Sequence, residues 1–325
     1  MGERKLTDRF GRIINYLRVS ITDRCNLRCR YCMPPEGIEL IPHDEILRYE
    51  EIIRVLSTAI SVGLKRVRFT GGEPLVRKGF IPFLRKVREC FPQLIVSLTT
   101  NGVLLSKFVR DFSSLELDSI NISLDTLNAD KYGYITRLGR FSDVWNGIIH
   151  SLDSGLTVKI NVVAIRGFND DEFVKFAEIT KDLNVIVRFI EFMPLGGNVW
   201  REGNFISVDE IRKMIEEKYT LAPVDSEIGG GPASYFRLPW GGLVGFIGAV
   251  SHHFCDRCNR LRLTADGRLK TCLFGGPEFD LKKALRGGAS DEDIASLIKR
   301  AILSKPRGWF VLTEENREVM SRIGG

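Results

Sequence analysis

Short runs rich in β-branched residues recur along the chain at Leu17–Ile21, Arg66–Thr70, Leu94–Thr99, Ser119–Leu124, Val158–Ala164 and Val185–Glu191. Between them, apolar residues return every three or four positions, the period of a helix with one buried face. Ile52, Ile53, Leu56, Ala59 and Ile60 set this pattern, and Phe80–Cys90, Leu104–Phe112, Phe141–Ser154 and Asp170–Leu183 repeat it. Strands alternating with helical segments predict an α/β fold built on a parallel sheet. Six such units without a clear seventh and eighth predict a partial (β/α)6 TIM-like barrel rather than a complete one.

After Leu195-Gly196-Gly197 the rhythm changes. Ser207–Tyr219 opens with Ser207 and Glu210 in capping-box spacing and reads as a helix. The breaker cluster Ile228-Gly229-Gly230-Gly231-Pro232 marks a boundary, dividing the chain into a core over 1–230 and a C-terminal α+β domain over 231–325. In that second stretch Tyr235–Pro239 and Leu243–Ala249 read as short antiparallel strands, and Asp291–Leu303 as a helix. Unusual residues gather where the predicted core strands end: Thr70-Gly71-Gly72-Glu73-Pro74, Thr99-Thr100-Asn101-Gly102, Ser123 with Asp125, and Glu191-Phe192-Met193-Pro194. In parallel α/β folds that edge carries the chemistry.

Composition adds limits. At 325 residues, 44% hydrophobic and 27% charged, the chain has an ordinary globular make-up. A net charge of +6 over this length suits a small anionic substrate at least as well as nucleic acid. No run of apolar residues reaches membrane-spanning length, and Met1-Gly2-Glu3-Arg4-Lys5 has no apolar stretch behind it, so a cytoplasmic protein is expected. Six of the seven cysteines fall into two tight triplets, Cys25/Cys29/Cys32 and Cys255/Cys258/Cys272. Clustered thiols in a reducing compartment point to metal rather than to disulfides. Cys90, apart from both, reads as a small apolar filler at a helix end.

The first triplet, Cys-x3-Cys-x2-Cys after the first strand, can hold three corners of a cubane iron–sulfur cluster and leave the fourth open. Structural zinc wants four closed ligands, and His43 is the nearest additional one. The second triplet again offers three thiolates. His252 or His253 could complete a Cys3His zinc site, so spacing alone leaves zinc and iron–sulfur both open there. Next to it, an extended Arg260-Leu261-Arg262 would put both guanidiniums on one face, a clamp suited to phosphate. Arg68 and Lys159 sit in otherwise apolar strands, where an unpaired charge is costly, and this too points to an anion site.

With Tyr31 before its last cysteine, and with Gly71-Gly72-Glu73-Pro74 after the second strand, the first triplet resembles the signature of the radical S-adenosylmethionine superfamily. Both triplets together, preceded by Phe10-Gly11-Arg12 and Tyr16–Asp23, resemble the GTP 3′,8-cyclase family from about Leu6 to Gly325. The resemblance implies two [4Fe-4S] clusters and S-adenosyl-L-methionine as cofactors. It implies conversion of GTP to 3′,8-cyclo-7,8-dihydro-GTP, the first step of molybdenum cofactor biosynthesis. Cys25, Cys29 and Cys32 would carry the cluster that activates S-adenosylmethionine, and Tyr31, Gly72, Ser123 and Met193 would contact that cofactor. Cys255, Cys258 and Cys272 would carry the cluster that holds the guanine. Arg18, Arg68, Thr99, Lys159, Arg260 and Arg262 would contact GTP, with Arg18, Arg260, Arg262 and the terminal Gly324 and Gly325 needed for catalysis. A homodimer, an electron donor and cyclic pyranopterin monophosphate synthase as the next enzyme are further implied, with no nucleic acid and no membrane as partner. Two rival readings are a peptide-modifying maturase with two clusters and a basic, zinc-stabilised nucleic-acid-binding protein.

Overall fold

The computed structural model describes residues 6–195, 202–224, 228, 230–308 and 320–323. Along the chain the strands are β1 (Tyr16–Ser20), β2 (Arg66–Thr70), β3 (Ile95–Thr100), β4 (Ser119–Ser123), β5 (Val158–Ala164), β6 (Val185–Glu191), β7 (Ala222–Val224), β8 (Ser234–Arg237), β9 (Leu243–Ile247), β10 (Arg260–Leu263), β11 (Arg268–Lys270) and β12 (Glu278–Asp280). The longer helices are α1 (Tyr49–Ser61), α2 (Phe80–Cys90), α3 (Val109–Ser114), α4 (Ala129–Thr136), α5 (Phe141–Asp153), α6 (Phe173–Glu178), α7 (Val208–Glu216), α8 (Leu281–Arg286) and α9 (Asp291–Leu303). The fold is of the expected α/β class, with the six alternating units in place and an extension after them. None of these helices is long and apolar enough to cross a membrane.

Packing groups the chain into two compact units that interleave in sequence. Unit one holds residues 1–26, 36–99 and 255–325, and unit two holds 27–35 and 100–254. In unit one the strand order is β12-β11-β10-β1-β2-β3, with β1 parallel to both β2 and β10 and the β10–β11–β12 edge antiparallel. The central strands are buried on both faces, which explains their near-continuous apolar character: Val19, Val67, Phe69 and Val96 are fully enclosed. Helix α1 covers one face through Ile52, Val55, Leu56 and Ala59, spaced along one stripe. Helix α9 presents Ile294, Ile298, Ala301 and Ile302 in the same manner and begins at a Ser290–Asp293 capping box. Such a cap contributes about 1 kcal/mol.

In unit two the order is β4-β5-β6-β9-β8-β7, parallel from β4 through β9 and antiparallel beyond. The Ser207–Glu210 box opens α7 as its spacing foretold. Glu191, the last residue of β6, is fully buried and ties three segments together. Its carboxylate accepts from Val208 N at 2.9 Å, Val250 N at 2.7 Å and Ser251 N at 2.9 Å, and from the Ser251 hydroxyl. Tyr235–Pro239 and Leu243–Ala249 do form an antiparallel pair, but β9 also lies parallel beside β6 and so continues the sheet. Cys90 ends α2 and is exposed, so it fills no core space.

Candidate functional site

In unit one, register sets the chemistry. Arg18 of β1 stands opposite Arg68 of β2 on one side and Arg262 of β10 on the other, and Arg262 stands opposite Lys270 of β11. Residues in register on neighbouring strands share a face, so four cations cross four strands in one row. Arg260, two residues before Arg262, adds a fifth on the same face. Lys270 is neutralised by an ion pair to Glu278. Burial drives the Arg18 pKa well below its ordinary value, and repulsion from Arg262, Arg68 and Arg260 lowers it further. Arg262 falls to about 10, through burial and then repulsion from Arg260. Guanidiniums that weaken one another in this way are poised for an anion. Two buried polar atoms on this face, Arg68 Nε and Thr99 Oγ1, have no hydrogen-bond partner among the described residues.

The second cysteine triplet lies beside the start of that row. Cys255 opens a single 3-10 turn, with Cys258 N donating to its carbonyl at 3.2 Å. Cys258 precedes β10 by two residues and Cys272 follows β11 by two. Because β10 and β11 are antiparallel, both thiols flank the same sheet edge, that of Arg260 and the beginning of β1. Burial raises the Cys258 thiol pKa, but the positive charges of Arg260 and Lys305 outweigh it and bring it to about 6. The group is therefore largely thiolate at neutral pH, the form that binds metal. Among the described residues no three His, Cys, Asp or Glu side chains converge as ligands of one ion; a cubane asks instead for three thiolates, each on its own iron. Half-buried thiols, one of them ionised, amid buried cations make a donor set that fits an anionic cluster. His252 pairs with Asp209 at 2.6 Å and His253 Nδ1 lies 3.0 Å from the Ala249 carbonyl, so each is engaged outside the triplet.

At the other end of β1 the chain turns to Cys25, and beside it runs Gly71-Gly72-Glu73. Gly72 N donates to Thr22 O and Glu73 N to Arg24 O, both at 2.8 Å. A β-carbon on either glycine would strike the backbone of Thr22 or Arg24, and Gly71 also holds φ +146°. These residues are glycines because two backbones touch here. Glu73 is fully buried and accepts from Leu75 N at 3.0 Å, which caps the following turn.

Unit two carries the remaining residues. The loop of Cys29 and Cys32 is sewn to the end of α4: Arg28 N and Arg30 N donate to the carbonyls of Thr136 and Ile135. Arg137 Nη1 reaches the carbonyls of Arg28 at 2.7 Å and Met33 at 2.9 Å. Tyr31 donates to Asp125 Oδ2 at 2.6 Å, and Asp125 Oδ1 accepts from Val163 N at 2.9 Å. Burial lifts Asp125 to about 6 despite those bonds, and burial with the nearby Asp125, Cys29 and Cys32 pushes Tyr31 well above its usual range. On the sheet, Asn121 stands opposite Lys159, and Ser123 opposite Asn161, which stands opposite Arg188. All five share one face. Lys159 and Arg188 are both buried, Arg188 donating to Asn121 Oδ1, and Asn161 Oδ1 has no hydrogen-bond partner among the described residues. Met193, two residues beyond β6, is half-buried, with its carbonyl accepting from Leu195 N at 2.9 Å.

The structure thus groups Arg18, Arg68, Thr99, Arg260 and Arg262 on one face of unit one, and Ser123 and Lys159 on one face of unit two. Gly324 and Gly325 lie outside the described residues. Sequence reading passed over Arg188, although the argument used for Lys159, a charge inside an apolar strand, applies to it equally. It also passed over Lys270, between Leu269 and Thr271, and Lys305, between Ser304 and Pro306, neither of which lies in an apolar run.

Two family models match the chain: Radical SAM superfamily over residues 19–179, and Molybdenum Cofactor Synthesis C over 185–311. A GTP 3′,8-cyclase of Desulforamulus reducens is 49% identical over 98% of this chain and 100% of its own length. One of Thermodesulfovibrio yellowstonii is also 49% identical, with the same coverage. Among solved structures, Streptococcus suis SuiB bound to S-adenosylmethionine shares the fold at a TM-score of 0.62 and 15% identity, covering 89% of this chain and 68% of that one.

Proposed function

This chain belongs to the GTP 3′,8-cyclase family of radical S-adenosylmethionine enzymes, and from that premise we propose that it converts GTP to 3′,8-cyclo-7,8-dihydro-GTP, the first step of molybdenum cofactor synthesis. Its cofactors are S-adenosylmethionine and two [4Fe-4S] clusters. Cys25, Cys29 and Cys32 hold one cluster, and Cys255, Cys258 and Cys272 the other. Held by Cys25, Cys29 and Cys32, the first cluster would, with S-adenosylmethionine, supply the radical chemistry that opens the reaction at the GTP ribose.

The chain's own residues bind and align. Gly72, Tyr31, Ser123 and Met193 seat the cofactor; Glu73, already buried, offers a carboxylate to its ammonium. Arg18, Arg68 and Arg262, with Arg260, clamp the triphosphate, joined by Thr99 and Lys159. The observation that carries this reading is the cationic row across β10, β1 and β2. It runs across the middle of β1, between the Cys25 end and the Cys258/Cys272 end. Four residues of strand, roughly 13 Å, separate those ends, about the length of a nucleotide. A triphosphate brings about four negative charges to a row that otherwise repels itself, and holding it there fixes the ribose without mobile water. Gly324 and Gly325 supply a tail free of side chains, and catalysis draws on them with Arg18, Arg260 and Arg262.

We further assign the roles along the chain to a core at 1–230 and a cluster-bearing domain at 231–325. The enzyme acts as a cytoplasmic homodimer, takes electrons from a separate donor, and passes product to cyclic pyranopterin monophosphate synthase. Anaerobic protein should be brown, with about eight iron per chain. Incubation with GTP, S-adenosylmethionine and a reductant should yield 5′-deoxyadenosine and cyclised nucleotide together. Cys255→Ser should keep slow uncoupled cofactor cleavage and lose the nucleotide product; product formed by that variant would refute the substrate-site assignment.

A further inference from the structure

Lys305 follows α9 in the segment Ser304-Lys305-Pro306-Arg307, which by composition reads as surface, yet it is only 4% exposed. Its Nζ donates to the carbonyl of Arg260 at 2.9 Å and to that of Thr271 at 2.6 Å. Arg260 comes two residues after Cys258, and Thr271 directly precedes Cys272. The third cysteine segment is fastened in the same way by another buried cation. Arg12 Nη1 donates to the carbonyl of Cys255 itself at 2.7 Å. Arg12 also reaches the carbonyls of Pro306 at 2.7 Å and Arg307 at 3.0 Å, bracing the segment that carries Lys305. Every cysteine-bearing segment of the second triplet is thus tied through a backbone carbonyl to a buried positive charge.

The two cations differ in how they are balanced. Arg12 is paired with Asp8 at 2.6 Å. Lys305 has no carboxylate at ion-pair distance among the described residues. An ammonium surrounded by carbonyls alone is costly to bury, and an apolar side chain of the same length would avoid that cost. What offsets it is anionic charge close by, and the two carbonyls that hold Lys305 Nζ belong to Arg260, two residues after Cys258, and to Thr271, directly before Cys272.

We propose that Lys305 is a positioning residue for the second iron–sulfur cluster, holding β10 and β11 by the carbonyls of Arg260 and Thr271 and placing a fixed positive charge that favours the cluster's reduced form. The inference rests on Cys255, Cys258 and Cys272 being the ligands. With three thiolates, a [4Fe-4S] cluster carries one formal negative charge oxidised and two reduced. A neighbouring cation therefore stabilises the reduced state more and raises the midpoint potential. By holding Arg260, Lys305 also links the cluster's setting to the row that clamps substrate.

The test uses the full chain with Cys25, Cys29 and Cys32 all changed to alanine, so that only the second site takes up iron. This parent should bind about four iron; a parent that binds none refutes the ligand assignment itself, and the inference falls with it. Lys305→Gln keeps a donor for one carbonyl but has no charge. It should retain most of the iron while its midpoint moves negative by about 59 mV, a tenfold shift in a one-electron equilibrium. Lys305→Met, with neither donor nor charge, should lose more than half of the iron, and its apoprotein thiols should be alkylated several-fold faster. Lys305→Arg should restore iron content and potential. Full iron at an unchanged midpoint in both the Gln and Met variants overturns the proposal. So does iron loss matched by an equal fall in apoprotein melting temperature, which would make Lys305 a general structural residue.

Discussion

Replacing Arg262 by Met should make the substrate-free enzyme more stable and the substrate-bound enzyme less so. Arg262 is 6% exposed and lies in register with Arg18, two residues beyond Arg260. Strands in a sheet are about 4.8 Å apart. With guanidiniums on long arms some 7 Å apart, each neighbour repels by roughly 2 kcal/mol at an effective dielectric near 20. The Arg262 pKa points the same way: burial first and then Arg260 bring it down to about 10, and each unit lost is about 1.4 kcal/mol of cost to the charged form. Allowing for the packing and hydrogen bonding that the guanidinium itself supplies, the variant should gain about 1–2 kcal/mol without substrate. Binding should move the other way. Losing a buried charge-assisted bond to phosphate costs roughly 2–5 kcal/mol, which weakens GTP affinity about 30-fold to several thousand-fold. Thermal melts with and without GTP, together with equilibrium binding, measure both effects on one protein. A variant that melts below the parent and binds GTP within about threefold of it would refute the view that the row is built for an anion.

Gly71→Ala forces a β-carbon against the Thr22 backbone at φ +146°, so S-adenosylmethionine binding, followed by calorimetry, should be lost while Gly203→Ala, in open space and without a positive φ, leaves it intact. Glu51 tests pH dependence. Burial opposes its ionisation, but bonds from Arg286 and Arg48 outweigh this and hold it at about 2. A depressed carboxylate pKa contributes fully above the unfolded value of 4.5 and is lost as pH falls through about 2. Glu51→Gln should therefore cost roughly 1–3 kcal/mol at pH 7 and shrink that difference below pH 4, read by denaturant melts. Glu191→Gln leaves a single accepting oxygen for four donors and should cost about 2–4 kcal/mol; hydrogen exchange at Val250 and Ser251 should rise with it, and unchanged exchange would remove Glu191 from that role.

The succession β1 to β6 was legible because each strand is a local run of β-branched residues and each following helix a local stripe. The place of β10 was not. Arg260–Leu263 looks extended in sequence, but nothing local says that it lies beside Tyr16–Val19. Helix α4 was overlooked because Gly133 and Thr136 weaken its propensity and its apolar stripe is short. At the site, cysteine spacing and the glycine pair are short-range signals and could be read locally, and Gly71 and Gly72 do lie against the backbone of Thr22 and Arg24. Lys305 and Arg12 act through backbone carbonyls far away in sequence, a kind of contact that residue type alone does not announce. Arg68 and Lys159 were found by asking why a charge sits in an apolar strand, and the same question put to Val185–Glu191 would have found Arg188.

The pairing of β1 with β10 also bears on when the protein can be finished during synthesis. Most of unit two, residues 100–254, is one continuous stretch and has its partners at hand as it leaves the ribosome. Unit one cannot close until β10 arrives to flank β1, and Arg12 must wait for Pro306 and Arg307. For most of translation, then, β1 has an uncovered edge, and the Cys255 segment, once made, still waits for Pro306 and Arg307 to join it at Arg12. The fastening of the second cysteine triplet therefore follows synthesis through Arg307, and loss of either Arg12 or the Lys305–Arg307 segment would act on that same late step.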